Sequence, residues 1–293
     1  MTDAVGVIGG GIMGCGIAEV AARAGCDVVV VEVTQQACAA TGERIAASLG
    51  KALRSNKITR EERDATLGRI RCTPDYADLA DRDIVIEAVV EDEALKLEVF
   101  RKLDATVTTP HAVLASNTSS IPIMKLAAAT ERPGRVVGLH FFNPVPVLSL
   151  VEIIPCIETS DDTLRRAERF AERLGKRRVM CKDRAGFVVN SLLIPYLLAA
   201  IRMIESGFAS AEDVDAAMVA GCAHPMGPLA LADHIGLDTT AAVAESMYAE
   251  FKEPLYAPPP LLLRMVEAGL LGRKSGRGFY DYSHAAKGKL ASA

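Results

Sequence analysis

The stretch that most constrains this chain is residues 5–33, where a short β-branched run ends in Gly9-Gly10-Gly11-Ile12-Met13-Gly14. An apolar helix, expected over residues 15–24, follows the glycines. Gly25 closes it in the left-handed conformation that glycine accepts at low cost. A second strand, nearly all valine, is expected over 27–33. Strand, GxGxxG, helix, strand is the layout of a dinucleotide-binding βαβ unit. Gly9 permits the tight turn, Gly11 lets the backbone approach a pyrophosphate, and Gly14 lets the helix pack closely on the strand. The free N–H groups and positive dipole at the helix start, around Ile12 and Met13, favour phosphate. Glu32 ends the second strand and is placed to accept a hydrogen bond from a ribose 2′-hydroxyl. Residues 33–36 hold no Arg or Lys to receive a 2′-phosphate, so NAD is expected rather than NADP. A lone GxGxxG would leave open a glycine-rich turn of some other α/β protein; the full βαβ setting argues against it.

The 293 residues suit one large or two ordinary domains, and half of them are hydrophobic, enough for a substantial core. A formal net charge of −4 argues against nucleic acid as the main partner. Seven cysteines with no CxxC pair suggest reduced thiols and a cytoplasmic protein. The opening Met-Thr-Asp-Ala lacks the shape of a signal peptide. The longest apolar runs are broken at Pro195 or Arg202, too soon to span a bilayer, so no membrane association is expected. None of the five histidines has metal-ligand spacing, and no metal site is expected.

Further along, a polar helix is expected over about 36–55, and Thr59-Arg-Glu-Glu62 has the form of a capping box opening another. Lys51, Arg54 and Lys57 make this pair basic on one side, either an ordinary solvated face or a landing site for a polyanionic tail. Residues 83–90 read as a buried parallel strand ending at Glu91, before a helix that carries Lys96. Residues 112–116 read as another, followed by Ser116-Asn117-Thr118-Ser119-Ser120. Ligands of open parallel sheets bind beyond the carboxyl ends of strands, so Glu91, Lys96 and this cluster fall on the edge that carries the glycine-rich turn. One of the five could cap a helix; five exceed what capping needs.

Two short apolar strands, 135–142 and 147–154, flank a stiff Asn143-Pro144-Val145-Pro146 connection. One carries His140 and the other Glu152. Strands that double back can bring the two together; taken singly, each is as well read as a packing residue and a surface carboxylate. After Thr159–Asp162, read as another capping box, a helix over 163–174 and a last strand near 178–181 complete the first domain. Residues 182–186 look like a hinge. Beyond it the pattern is helical: a mostly apolar 187–205 read as a central buried helix, interrupted by Asn190 and kinked by Pro195, then helices near 227–235, 237–251 and 259–268. Ser210 caps the helix before these. His224 reads as structural, Asp233 and Asp238 as capping or helix-positioning groups, residues 273–277 as a solvated turn, and the chain after Tyr282 as frayed. The expected fold is therefore α/β: an N-terminal Rossmann-type, doubly wound, mostly parallel sheet over 1–184, then an all-helical domain over 185–293.

These motifs, GGGIMG (9–14), EAVVED (87–92), SNTSS (116–120), GLHFFNPVP (138–146), LVEI (150–153), KDRAGFVVN (182–190), HPMGP (224–228) and GRKSGRGFYDY (272–282), occur in an order that resembles the L-3-hydroxyacyl-CoA dehydrogenases, and most closely their short bacterial 3-hydroxybutyryl-CoA members. The resemblance implies NAD as cofactor and an acyl-CoA substrate in fatty acid metabolism. It also implies a homodimer through the C-terminal helical domain. Carried over by position, it implies a catalytic pair in which His140 moves the 3-hydroxyl proton and Glu152 holds the ring. It implies substrate-positioning by Ser119 and Asn190, a helper near the nicotinamide at Asn117, and cofactor contacts at Glu91 and Lys96. Ser48 matches a position that contacts the CoA tail. A basic residue expected seven positions later is Ser55 here, with Lys57, or Lys51 and Arg54, available instead. Two rivals remain at this level. The same hydride chemistry could act on an acyl group held by a carrier protein or on a free hydroxy or sugar acid. Alternatively, the fold could bind a dinucleotide without catalysis, which would need none of His140, Glu152, Ser119 and Asn190.

Overall fold

The structure is a computed structural model and describes residues 3–283. It divides into two compact units, Met1–Phe187 and Val188–Ala293. The chain runs β1 (Ala4–Ile8), α1 (Ile12–Arg23), β2 (Asp27–Val31), α2 (Gln35–Arg54), α3 (Arg60–Leu67), β3 (Ile70–Thr73), β4 (Ile84–Glu87) and α4 (Glu93–Thr106). It continues through β5 (Val113–Ser116), α5 (Ile123–Ala127), β6 (Val136–Phe141), β7 (Leu150–Ile154), α6 (Asp161–Arg173) and β8 (Arg177–Met180). These eight strands form one sheet in the order β3-β2-β1-β4-β5-β6-β7-β8. Every pairing is parallel except β6 with β7.

Both faces of the sheet are covered, which is why its strands are apolar without alternation. Val28 and Val30 join one core with α1, α2 and α6. Val29 and Val31 join the other, built with Phe100 and Leu103 of α4 and Ile123 and Leu126 of α5. The chain leaves β1 for β2 and β3 on one side, then crosses back to place β4 on the other. The strand order therefore reverses at β1, and a crevice opens beyond the carboxyl ends of β1 and β4.

The glycine roles in the first turn are visible as distances. Gly9 has φ +92°. A Cβ on Gly14 would lie 1.8 Å from the Gly9 carbonyl oxygen, whereas a Cβ on Gly11 would meet nothing within 4 Å. The helix begins at Ile12, inside the motif rather than at Cys15, because a turn that tight delivers the chain directly into helical geometry. Other expected boundaries shift similarly. β2 stops at Val31, so Glu32 lies just past the strand, and β4 ends at Glu87, leaving Glu91 on the following loop. At Thr59 the capping box is present with both of its bonds. At 159–162 there is none: Ser160 caps α6 through the Thr163 N–H, and Thr159 instead bonds the Val136 carbonyl. Within residues 182–186, expected as the hinge, the Asp183 carboxylate accepts the Ile123 and Met124 N–H groups at the start of α5.

The second unit holds α7 (Val189–Glu205), α8 (Ala211–Cys222), α9 (Pro228–Ile235), α10 (Leu237–Phe251) and α11 (Pro260–Glu267). α7 packs against α9, α10 and α11 through Ile194, Leu197, Leu198 and Ile201, a helical i, i+3, i+4, i+7 stripe. It runs on through Pro195. It is not buried all round as its composition suggested, because Leu192 is 74% exposed. Asp233 caps no helix; buried, it accepts the Phe279 and Tyr280 N–H groups and the Tyr282 hydroxyl. Asp238 pairs with Lys274 of the 273–277 turn. The frayed tail expected after Tyr282 falls, from residue 284, outside the described residues, as does His284.

Gly14→Ala is expected to destabilise the first unit by at least about 1–3 kcal/mol, since the obstructing atom is backbone and cannot turn away. Gly11→Ala, with open space and φ −69°, is expected to leave the melting temperature of the free protein unchanged. Differential scanning calorimetry of both variants would decide this; equal melting temperatures would refute the steric role of Gly14.

Candidate active site

Four chain segments meet at the carboxyl edge of the sheet. The first is the glycine-rich turn. Gly11 caps α1 without a side-chain bond and no acidic residue occupies the first turn, so the N–H groups there are free for an anion. With open space beside Gly11, this turn fits the pyrophosphate of a dinucleotide. Glu32 accepts the Gly10 N–H at 2.7 Å through one oxygen and the Val33 N–H at 3.0 Å through the other, which ties the carboxylate to the turn. Arg44 of α2 donates to the Gly10 carbonyl at 2.9 Å.

The second is a buried charge cluster that the sequence reading only half located. Glu87, at the end of β4, has no exposed surface. It accepts bonds from Lys96 Nζ at 2.6 Å, Ser116 Oγ at 2.6 Å and the Val89 N–H at 2.8 Å. Lys96, expected on an open edge, is itself buried and reaches Glu91 at 3.2 Å with its remaining charge. Glu91 in turn accepts Thr118 Oγ1 at 2.5 Å, the Ser119 N–H at 2.9 Å and the Ser120 N–H at 3.1 Å. Burial pushes the Glu91 carboxyl up, but the Lys96 charge and these bonds outweigh it and hold the group below the usual carboxylate range. Most of the Ser/Thr/Asn run thus serves this cluster: α5 starts after Pro122 with no side-chain cap. Ser119, half-buried, places its hydroxyl 3.3 Å from Glu91.

The third segment is the antiparallel ladder of β6 and β7, in which His140 stands directly opposite Glu152. His140 Nδ1 lies 2.7 Å from Glu152 Oε2, and both residues are buried. The imidazole is flanked by the rings of Phe142 at 4.5 Å and Phe187 at 5.5 Å. Glu152 engages Nδ1, which leaves Nε2 as the ring nitrogen available for proton transfer. Asn117, the fourth contributor, accepts the Phe141 N–H through Oδ1 at 2.9 Å, joining the loop after β5 to the end of β6.

Asn190 lies in the second unit, in the first turn of α7. Ser48 bonds the buried Glu19, whose carboxyl is raised by that burial, with Ser48 and Arg23 offsetting part of it. Lys51 and Lys57 are both exposed. Glu87 escaped the sequence reading because a carboxylate inside IVIEAVV looks like part of an apolar run. Val33 and Val90 escaped it too. With Ile12 they are 86%, 70% and 71% exposed, large apolar side chains in the loops after β2 and β4 and at the start of α1, suited to the flat faces of a base.

Replacing Lys96 by Met leaves Glu87 buried without its cation, with an expected cost of about 3–5 kcal/mol in urea denaturation. A second substitution, Glu87→Gln, should recover a large part of it. Glu91→Gln should destabilise at neutral pH. A lowered carboxyl contributes stability above its unfolded value and loses it as pH falls through the folded one, so the gap between Glu91→Gln and wild type should close in acid. A gap independent of pH would refute the ionised state of Glu91.

Comparison with known proteins bears on the same segments. The family model described as 3-hydroxyacyl-CoA dehydrogenase, NAD binding domain, matches residues 4–184, and the C-terminal domain model of that family matches 186–282. A Mycobacterium tuberculosis protein named 3-hydroxybutyryl-CoA dehydrogenase is 61% identical over 286 residues, covering 96% of this chain and all of that protein. The human protein named hydroxyacyl-coenzyme A dehydrogenase, mitochondrial, is 44% identical, covering 95% of this chain and 90% of its own. Among solved structures, M. tuberculosis FadB2 superposes with a TM-score of 0.95 at 61% identity, covering 96% of this chain and 99% of that one. The (S)-3-hydroxybutyryl-CoA dehydrogenase PaaH1 of Ralstonia eutropha gives 0.92 at 45% identity, with coverage of 96% and 99%. The chain therefore belongs to the 3-hydroxyacyl-CoA dehydrogenase family, and its first unit is that family's NAD-binding domain.

Proposed function

We propose that this chain interconverts a short-chain (3S)-3-hydroxyacyl-CoA, of the 3-hydroxybutyryl-CoA kind, and the corresponding 3-ketoacyl-CoA, as a step of fatty acid metabolism. The observation that carries the reading is the buried His140–Glu152 pair, a base with an oriented tautomer on a fold that binds a dinucleotide. The relatives named for this reaction support the substrate class. NAD, when bound, supplies the hydride acceptor, or as NADH the donor. His140 Nε2 takes the 3-hydroxyl proton during oxidation and returns it during reduction. Glu152 fixes the tautomer through Nδ1 and stabilises the imidazolium formed at that moment. Ser119 and Asn190 position the substrate, and Asn117 steadies the end of β6 beside the nicotinamide. Gly9, Gly11, Ile12, Met13 and Gly14 hold the pyrophosphate and Glu32 the adenosine ribose, while Glu91 and Lys96 shape the nicotinamide side.

Two further parts of the reading concern the whole molecule. The all-helical unit serves as a dimerisation domain, supported by Leu192 and Phe208, each 74% exposed. Light scattering on the eluting protein should give twice the chain mass; a monomer would overturn this part. A cytoplasmic location is supported by seven cysteines that are all free. Among the described residues no helix is long and apolar enough to cross a membrane.

The test of the activity is loss of reduced-nicotinamide absorbance with acetoacetyl-CoA, NADH against NADPH. Turnover with NADH is expected. His140→Ala should lower kcat by about 10²–10⁴-fold with the fold intact. Glu152→Gln, which keeps the shape but favours the wrong tautomer, should cost about 10²-fold or more. Near-normal rates in His140→Ala would end the proposal.

A further inference from the structure

Gly10, in the middle of the glycine-rich turn, is gripped at both ends by side chains from elsewhere. Glu32 accepts its N–H at 2.7 Å. Three donors converge on its carbonyl: the Arg44 guanidinium at 2.9 Å, the Cys15 thiol at 3.0 Å and the Thr41 hydroxyl at 3.4 Å. The three are not equal. A thiol is a weak donor, and the single Thr41 proton has a shorter acceptor in the Ala37 carbonyl at 2.9 Å. Arg44 therefore supplies the one charge-assisted bond.

The place of Arg44 follows from how α2 packs. The buried residues of α2, Cys38, Thr41, Ile45 and Leu49, recur at helical spacing, and the helix lies against α1 and β3. Thr41 comes so close to the turn that a Cβ on Gly10 would stand 1.9 Å from its Oγ1. Arg44, about one helical turn further along, lies at the exposed margin of that stripe and sends its guanidinium back over the same glycine. A planar trans peptide directs its C=O and N–H to opposite sides, and the turn contains no cis bond. Holding the Gly10 oxygen on the α2 side therefore turns the Gly11 N–H away from α2. There it joins the N–H groups of the first turn of α1, which no side chain caps.

We propose that Arg44 is a positioning residue for the cofactor: its guanidinium, bonded to the Gly10 carbonyl, locks the Gly10–Gly11 peptide so that the Gly11 N–H is preset to donate to the NAD pyrophosphate. The inference adds to the NAD-binding turn a residue from another helix, and it holds whichever substrate the chain turns over. Three consecutive glycines have more backbone freedom to lose than any other tripeptide. A bond that orders them beforehand removes that entropy cost from NAD binding. Direct contact with phosphate is the other use of a guanidinium at this place, and the free protein separates the two.

The test compares wild type with Arg44→Met and Arg44→Lys, with circular dichroism as a check on folding. Amide order parameters from ¹⁵N relaxation are read first, without cofactor. The Gly11 amide of wild type should show the value of rigid backbone, about 0.85, and that of Arg44→Met should fall toward about 0.6. NADH, titrated by its fluorescence, should bind Arg44→Met about tenfold more weakly, and ADP-ribose, which carries the same pyrophosphate, should lose as much. Arg44→Lys, which keeps a charged donor, should recover most of both losses. An unchanged NADH affinity in Arg44→Met would overturn the proposal, as would a Gly11 amide that is already mobile in wild type. Weaker binding with the Gly11 amide as ordered as in wild type would overturn it too, and would make Arg44 a phosphate contact instead. None of these readouts needs turnover, so failure of the proposed reaction leaves the test intact.

Discussion

Glu87 sits at the carboxyl end of β4, in the middle of the sheet, with no contact with solvent. An ionised carboxylate in that position costs several kcal/mol unless charge and hydrogen bonds replace its water. Lys96 arrives from α4, Ser116 from the end of β5, and the Val89 N–H from the loop that follows β4. Lys96 is then half-neutralised and reaches Glu91, which gathers residues 118–120. One buried charge thus dictates the course of two loops and the placement of a helix. Those loops border the point where the strand order reverses, so the cluster fixes one edge of the crevice at the carboxyl ends of the strands.

The second organising event is the single reversal of strand direction in the sheet. A wholly parallel sheet would separate β6 from its neighbour by a crossover and place no residue of one connection opposite another. Because β7 returns antiparallel, His140 and Glu152 face each other across one ladder, close enough for a charge-assisted bond. The same return fills the start of α1 with Val145: a Cβ on Gly16 would stand 2.8 Å from its side chain. The glycine-rich helix and the His–Glu strands are therefore packed as one body.

Much of this was legible in the residues. The strand–glycine–helix–strand order and the Ser210 and Thr59 caps depend on local geometry that a short sequence specifies by itself. The His140–Glu152 pairing was legible as a possibility, because two apolar strands around a proline-rich link have few ways to fold back. Other features were hidden. A glutamate inside IVIEAVV carries no local mark that it needs a lysine nine positions on. Val33 and Val90 look like strand residues, and only the early ends of β2 and β4 leave them bare. Asp183 and Asp233 looked like hinge and cap residues, yet their acceptors serve N–H groups distant in sequence.

What the sequence by itself determined was the class of fold and the glycine-rich turn of the NAD-binding domain, since each follows from patterns confined to a few tens of residues. What only the tertiary structure decided was which partners satisfy the buried charges and which side chains hold Gly10. Glu32 and Arg44 come from separate segments. Nothing in their spacing announces a common glycine, because burial and charge compensation are settled by the neighbours that the packed sheet and helices bring together.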